Sequence, residues 1–299
     1  VFFKNLQIYT LAAPLALSAA QLAEKLAAKA FQPGSSVELQ RIGWISPRDD
    51  DSLVHEVGGQ FLLALRAEKK LLPNAVINQV TRARAQEVEE KQGYKPGRRE
   101  MRELKDAVTN ELLPRAFPVQ RDTRVWIDPA AGRIVVDSGT STKGDEAVQL
   151  LNECVEQLGA RPWQTALSPV SAMTAWLAAD EAPEGFTIDQ DTELRASTQS
   201  KATVRYMRHA LETDDVRRHI EAGKQCTRLA LTWMERISFV LTETLAIKRV
   251  TPLDVLTEQE DDAGNEGERF DSDFALMAGE LGRLLSRLAI AMGDMNIGS

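Results

Sequence analysis

The 299-residue chain has two cysteines, three histidines and few aromatic residues. Cys154 and Cys226 are too few for a disulfide framework or a cysteine-rich zinc site, and a small buried thiol is the expectation for each. A reducing cytoplasm is therefore the default compartment. His55, His209 and His219 form no H-x-x-x-H pair. "HIE" at 219–221 lacks the P-C-x-x-C that a zinc deaminase needs. No apolar run approaches the ~18 residues of a membrane helix. The opening "VFFKNLQIYTLAAPLALSAAQLAEKL" is broken by Lys4, Gln7, Gln21 and Glu24, unlike the uninterrupted apolar region of a signal peptide.

Nucleotide motifs are missing too. "GTSTKGDE" has Gly139 and Gly144 at phosphate-loop spacing, but Asp145 stands where lysine is required, and its carboxylate would repel phosphate. No G-x-G-x-x-G and no G-x-S-x-G is present. Carboxylates offer a weak nuclease alternative: Asp128 and Asp137 flank a hairpin, and Asp271 and Asp273 stand in "FDSDF". The hairpin pair lacks a following E-x-K or D-x-K, and the second pair is expected to cap a helix. No catalytic residue, metal, cofactor or small-molecule substrate is expected.

Charge is what the chain has, unevenly placed. The formal net charge is −8, yet "KPGRREMRELK" (95–105) holds five cations in eleven residues. Basic residues outnumber acidic ones from Arg66 to Arg124, while 254–294 is strongly acidic. At about 100° per residue, a helix after Gly97 puts Met101, Leu104, Val108 and Leu112 on one stripe. Arg98, Arg102 and Lys105 fall on another, at i, i+4 and i+7. Such a stripe is either a solvated face or a set of cations aimed at phosphates. "DDVRRHIEAGKQCTRLALTWMER" extends the pattern if helical from Asp214 or Asp215 to about Glu235. It would align Arg217, Lys224 and Arg228, with Arg205 and Arg208 just ahead. An acidic protein binds DNA through such local patches, because affinity follows phosphates neutralised rather than total charge. The alternative partner for basic stripes is an acidic protein, the chain then being an interaction scaffold. Nothing resembles a recognition helix or zinc finger, so base-specific readout is not expected.

The elements alternate irregularly. "FKNLQIYTL" and "RIGWIS" read as strands, with a helix from Ser18 between them. "GQFLLALRAEKKLLP" reads as a hairpin turning at Ala67–Lys69. A helix capped by Asn74 reaches Gln92, with Val76, Ile77, Val80 and Val88 as its apolar positions. "RVWIDPAAGRIVVDSGT" is a clear hairpin, followed by a helix toward Gly159. Residues 160–200 show weak periodicity beyond a short helix at "SAMTAWLAA". "RISFVLTETLAIKRV" is a further hairpin, and Asp271 is read as the cap of a C-terminal helix. The expected class is α+β with antiparallel sheets. The expected parts are 1–75 with 116–170, a helical basic part 76–115, and 171–299.

The ordered set "FFKNLQIYTL", "IGWISP", "KKLLPNAVI", "ELLPRAFP", "VWIDPAAGRIVVDS", "HIEAGKQCTRLALTW", "RISFVL" and "RFDSDFALMAGEL" resembles the RdgC family of bacterial recombination-associated proteins. The resemblance implies a non-enzymatic, nucleoid-associated protein of the cytoplasm. It implies a homodimer closed into a ring around duplex DNA, indifferent to sequence, that restrains the RecA recombinase. Phe117, in "LLPRAF", matches a family position at the subunit interface. Arg208 and His209, after "VRYM", match a polar, basic pair associated with DNA contact. Histidine in the second place would be mostly neutral at slightly alkaline pH, given an ordinary pKa of ~6.5.

Overall fold

The computed structural model describes residues 2–33, 38–48, 50–156, 158–197, 202–207, 213–257 and 265–294. The first half contains β1 (Leu6–Thr10), α1 (Ala19–Ala27), β2 (Gln40–Ile45), β3 (His55–Val57) and β4 (Gln60–Lys70). Two helices follow, α2 (Asn74–Gln92) and α3 (Arg98–Leu112), then β5 (Pro118–Asp128), β6 (Arg133–Asp137) and α4 (Ser141–Cys154). Next come β7 (Arg161–Pro162), α5 (Pro169–Ala179), β8 (Phe186–Ala196), β9 (Thr203–Tyr206) and α6 (Thr213–Glu221). The chain continues with β10 (Lys224–Trp233), β11 (Ile237–Thr242), β12 (Ile247–Pro252), α7 (Asp254–Thr257) and α8 (Glu266–Ala291).

All twelve described strands join one sheet, in the order β2-β4-β5-β6-β1-β12-β11-β10-β8-β9, with β3 on β4 and β7 on β1. Every strand pairing is antiparallel, as expected for an α+β chain rich in hairpins. The halves meet where Leu6 of β1 pairs with Ile247 of β12.

Alternation along each strand divides the core in two. Phe61, Leu63, Leu65, Val125, Ile127, Ile134 and Val136 face α1 and α4, where Leu22, Leu26 and Leu151 cover them. Leu62, Trp126 and Val135 face the other way, into a core shared with β10, β11 and β12 and closed by Phe274, Met277, Leu281, Leu284, Leu285 and Leu288 of α8. The second half is thus covered on its α8 side. Its opposite face carries charged side chains. No described helix is long and apolar enough to cross a membrane.

Several local readings hold and others do not. Ser18 and Gln21 form the capping box that starts α1. The segment read as a hairpin at 59–73 is the single eleven-residue strand β4, because its charged end stays paired with β5 as far as Lys70 opposite Pro118. At about 3.3 Å per residue, β4 and β5 each span about 36 Å and lead from the core toward α2 and α3. Pro73, not Asn74, caps α2; within that helix Ile77 and Thr81 are buried while Val76 is exposed. Asn265 and Glu268 form the capping box of α8, so Asp271 lies inside the helix. There it accepts a hydrogen bond from Arg48 at 3.2 Å and lies 3.0 Å from His55 Nε2.

The largest correction concerns 213–235. Gly223, at φ 82°, ends the short helix α6, and the chain continues as β10. Left-handed backbone of this kind is open to glycine at little cost. The helical stripe Arg217–Lys224–Arg228 therefore does not exist. The 160–200 segment is also more regular than its weak periodicity suggests, since it contains the eleven-residue strand β8.

Candidate nucleic-acid interface

The first basic surface lies on α3. Gly97 opens the helix without a side-chain cap, Val108 is its buried residue, and the helix packs against α2. Arg98, Arg102 and Lys105 are exposed on the stripe that helical spacing gives them. None of the three forms an ion pair among the described residues, whereas their neighbour Arg99 is paired with Glu103 at 2.9 Å and Arg84 of α2 with Glu111 at 2.8 Å. The three unpaired cations are free to meet an anion without first breaking a contact.

The second surface lies on the open face of β8, β9 and β10. Glu193 is 2 % exposed. Its carboxylate accepts hydrogen bonds from Arg205 Nε at 2.6 Å, Arg195 Nη2 at 2.8 Å and Thr227 Oγ1 at 2.8 Å. Arg228 Nε lies 4.0 Å away. Burial alone would raise the Glu193 carboxyl, but the hydrogen bonds from Thr227, Arg205 and Arg195 outweigh it and hold it at about 2. The ionised form is therefore stabilised in the fold. Its contribution is fully present above the ordinary carboxylate range of ~4.3 and is lost as pH falls toward the folded value. In urea unfolding between pH 7 and 3, the wild type should exceed Glu193→Gln in stability most above about pH 5, with the gap narrowing as the pH drops. A constant gap would contradict this account of Glu193.

The sequence-predicted cations thus divide. Arg205 and Arg228 come together around Glu193. Lys224 does not join them: it begins β10 on the side covered by α6, with Nζ 3.0 Å from His219 Nδ1. Burial, with Lys224 and Arg218 close by, pushes the His219 pKa down, so the ring accepts this proton as a neutral base. Arg208 and His209 lie outside the described residues. Glu193 itself was missed. Its signal was the period-two run Asp189, Asp191, Glu193, Arg195, which marks one charged face of a strand.

Phe117 is 80 % exposed at the start of β5. Its carbonyl accepts from the Leu71 amide, and the Leu39 carbonyl from the Lys70 amide. Phe117, Leu71 and Leu39, all exposed, therefore lie at one end of the sheet, Phe117 across from Leu71 and Leu39 across from Lys70. The carboxylates considered for a nuclease are dispersed. Asp137 accepts from the Lys4 and Asn5 amides, Asp128 from Gln60 and the Ala131 amide, and Asp271 is bound to Arg48 and lies beside His55. Among the described residues no group of three or more His, Cys, Asp or Glu is placed to hold a metal.

A sheet protein with exposed cationic arrays and an apolar end patch suits association with other macromolecules better than small-molecule chemistry. Comparison with known proteins gives the class: its relatives are named recombination-associated proteins. The chain belongs to the RdgC family, whose model, described as "Putative exonuclease, RdgC", matches residues 1–295. It is 60% identical over 294 residues to the recombination-associated protein RdgC of Janthinobacterium sp. (strain Marseille), covering 98% of both chains. It is also 60% identical to that of Burkholderia ambifaria (strain MC40-6), covering 98% of this chain and 96% of the relative. Identity to that of Bordetella parapertussis is 57%, with 98% of both covered.

Proposed function

We propose that this protein binds double-stranded DNA without regard to sequence, as a ring-shaped homodimer that encircles the duplex, and that by occupying DNA it restrains RecA-dependent recombination. The observation that carries the reading is the row Arg98, Arg102 and Lys105 on an acidic chain, exposed and without an ion pair among the described residues, while their neighbours Arg99 and Arg84 are ion-paired. The relatives' name, recombination-associated protein, supports it. Arg205 and Arg228 form a second contact zone. The basic helical part 76–115 acts as an arm reaching toward DNA, and the Phe117 patch joins two copies. The site of action is the nucleoid in the cytoplasm.

The family description as an exonuclease motivates a second reading, hydrolysis of DNA. It is disfavoured by the carboxylates, which are separated and engaged with amides or arginine. One experiment addresses both. Random and defined duplexes should bind within a few fold of each other, with log K falling against log salt by about 0.9 per phosphate contact. Plasmid incubated with protein and Mg²⁺ should stay intact. A shallow salt slope, a preference of ~10³ for one sequence, or metal-dependent cleavage would sink the proposal.

A further inference from the structure

Two irregularities in the sheet converge on one place. Along β10, Cys226 and Leu229 both point into the core that α8 covers, with only Thr227 and Arg228 between them. Cys226 pairs with Leu194 and Arg228 with Glu193, so β10 has one residue more than β8 at this point. The extra residue is a β-bulge, and it turns Thr227 and Arg228 to the same open face. The same device recurs on β12. Ile247 and Val250 are both core residues, and the β11–β12 register shifts between Ser238 and Val240, opposite Thr251 and Lys248. Arg249 takes φ 54°, a left-handed conformation that an arginine adopts only at a cost. In an unbroken strand, one of Lys248 and Arg249 would face the core.

Both instead line a groove of 160 Å³ with Arg205 and Arg228. Among its lining residues are four cations and two carboxylates, Glu193 and Asp191. Asp191 meets Arg249 at 3.4 Å. Arg205 meets Glu193 through Nε, and Nε is also the Arg228 atom nearest it. Arg205 is thus held at its inner edge, Arg228 turns the same edge toward the carboxylate at 4.0 Å, and the paired Nη groups of both are left for a second partner. That fork matches two oxygens of a phosphate.

We infer that Glu193 is a positioning residue: it fixes Arg205 and Arg228 at the floor of this groove so that, with Lys248 and Arg249, they hold one backbone phosphate of duplex DNA. The inference rests on the DNA-binding reading above. Its sign is unusual. Removing Glu193 makes the protein more positive, and a simple Coulomb account would have the variant bind DNA more tightly. If Glu193 organises the arginines, the variant binds more weakly.

The test uses full-length protein and a labelled random-sequence duplex, with affinity measured by anisotropy over a range of salt. Wild type is compared with Glu193→Gln, with Arg205→Ala plus Arg228→Ala, and with all three changes combined. Glu193→Gln should weaken binding about fivefold, and the combined variant should be no weaker than the arginine pair, since the effects share one site. The arginine pair should lower the salt slope by about 0.9 for the phosphate lost from each protomer. Equal or tighter binding by a folded Glu193→Gln, or additive effects, overturns the positioning role. If Glu193→Gln does not fold, the arginine pair decides alone, and an unchanged slope overturns the site. Wild-type protein that fails to bind duplex DNA would overturn the functional reading itself, whereas binding that all the variants retain undoes only this inference.

Discussion

A Phe117→Ser variant is expected to fold normally, lose the closed dimer and release duplex DNA faster. Phe117 is 80 % exposed, so its own fold gains little from it; substitutions at such positions usually cost within ~0.5 kcal/mol. The chain around it is stiff. A tight turn at Leu113–Arg115 contains Pro114, and Pro118 follows directly. With Leu71, which lies across from it at the end of the sheet, it presents an exposed apolar surface that a second copy would cover. In a two-fold interface the same patch serves both subunits, so one substitution alters both. An aromatic anchor buried in an interface costs ~2–4 kcal/mol on truncation. A ring with one contact zone broken lets DNA leave sideways. The dissociation rate should rise while the charge-driven encounter rate persists. Small-angle scattering reports the shape, and stopped-flow release from DNA reports the rate. A variant that remains a closed dimer, or that unfolds, contradicts this role for Phe117.

The second large effect belongs to α3. Replacing Arg98, Arg102 and Lys105 together by alanine should flatten the salt slope by up to about 2.7 per protomer, at about 0.9 for each phosphate contact. The melting temperature should barely move, because the three side chains are exposed and make no ion pair among the described residues. Arg99 serves as the control: it is engaged with Glu103, and its replacement should change the slope less. A triple variant that binds like the wild type would make this stripe an outer solvated face.

The α3 stripe was legible because its signals agreed. Gly97 stands before the helix, the apolar residues recur at helical spacing, and Pro114 stops it. The β5–β6 hairpin was legible through Asp128-Pro129-Ala130-Ala131-Gly132. β10 was not, because "VRRHIEAGKQCTRLALTW" continues a helical pattern across Gly223, and only the backbone there reveals the break. The bulge at Thr227 then spoiled the alternation that would have marked the strand. β8 was missed for another reason. Its outward residues are mostly acidic, and Glu193 is buried only because arginines and a threonine from separate segments reach it. That convergence is a property of the sheet, not of any local stretch. Phe117 stood out through its flanking prolines and the family resemblance, while its exposure across from Leu71 required the pairing of β4 and β5.

The central claim is a ring closed around duplex DNA. The most direct measurement loads the protein on covalently closed circular plasmid and on the same plasmid linearised, then raises salt and follows what remains bound. Encirclement predicts that protein stays on the circle at salt that removes it from the linear form, and that cutting the circle releases it. Equal loss from both forms would contradict a closed ring and leave only side-on binding.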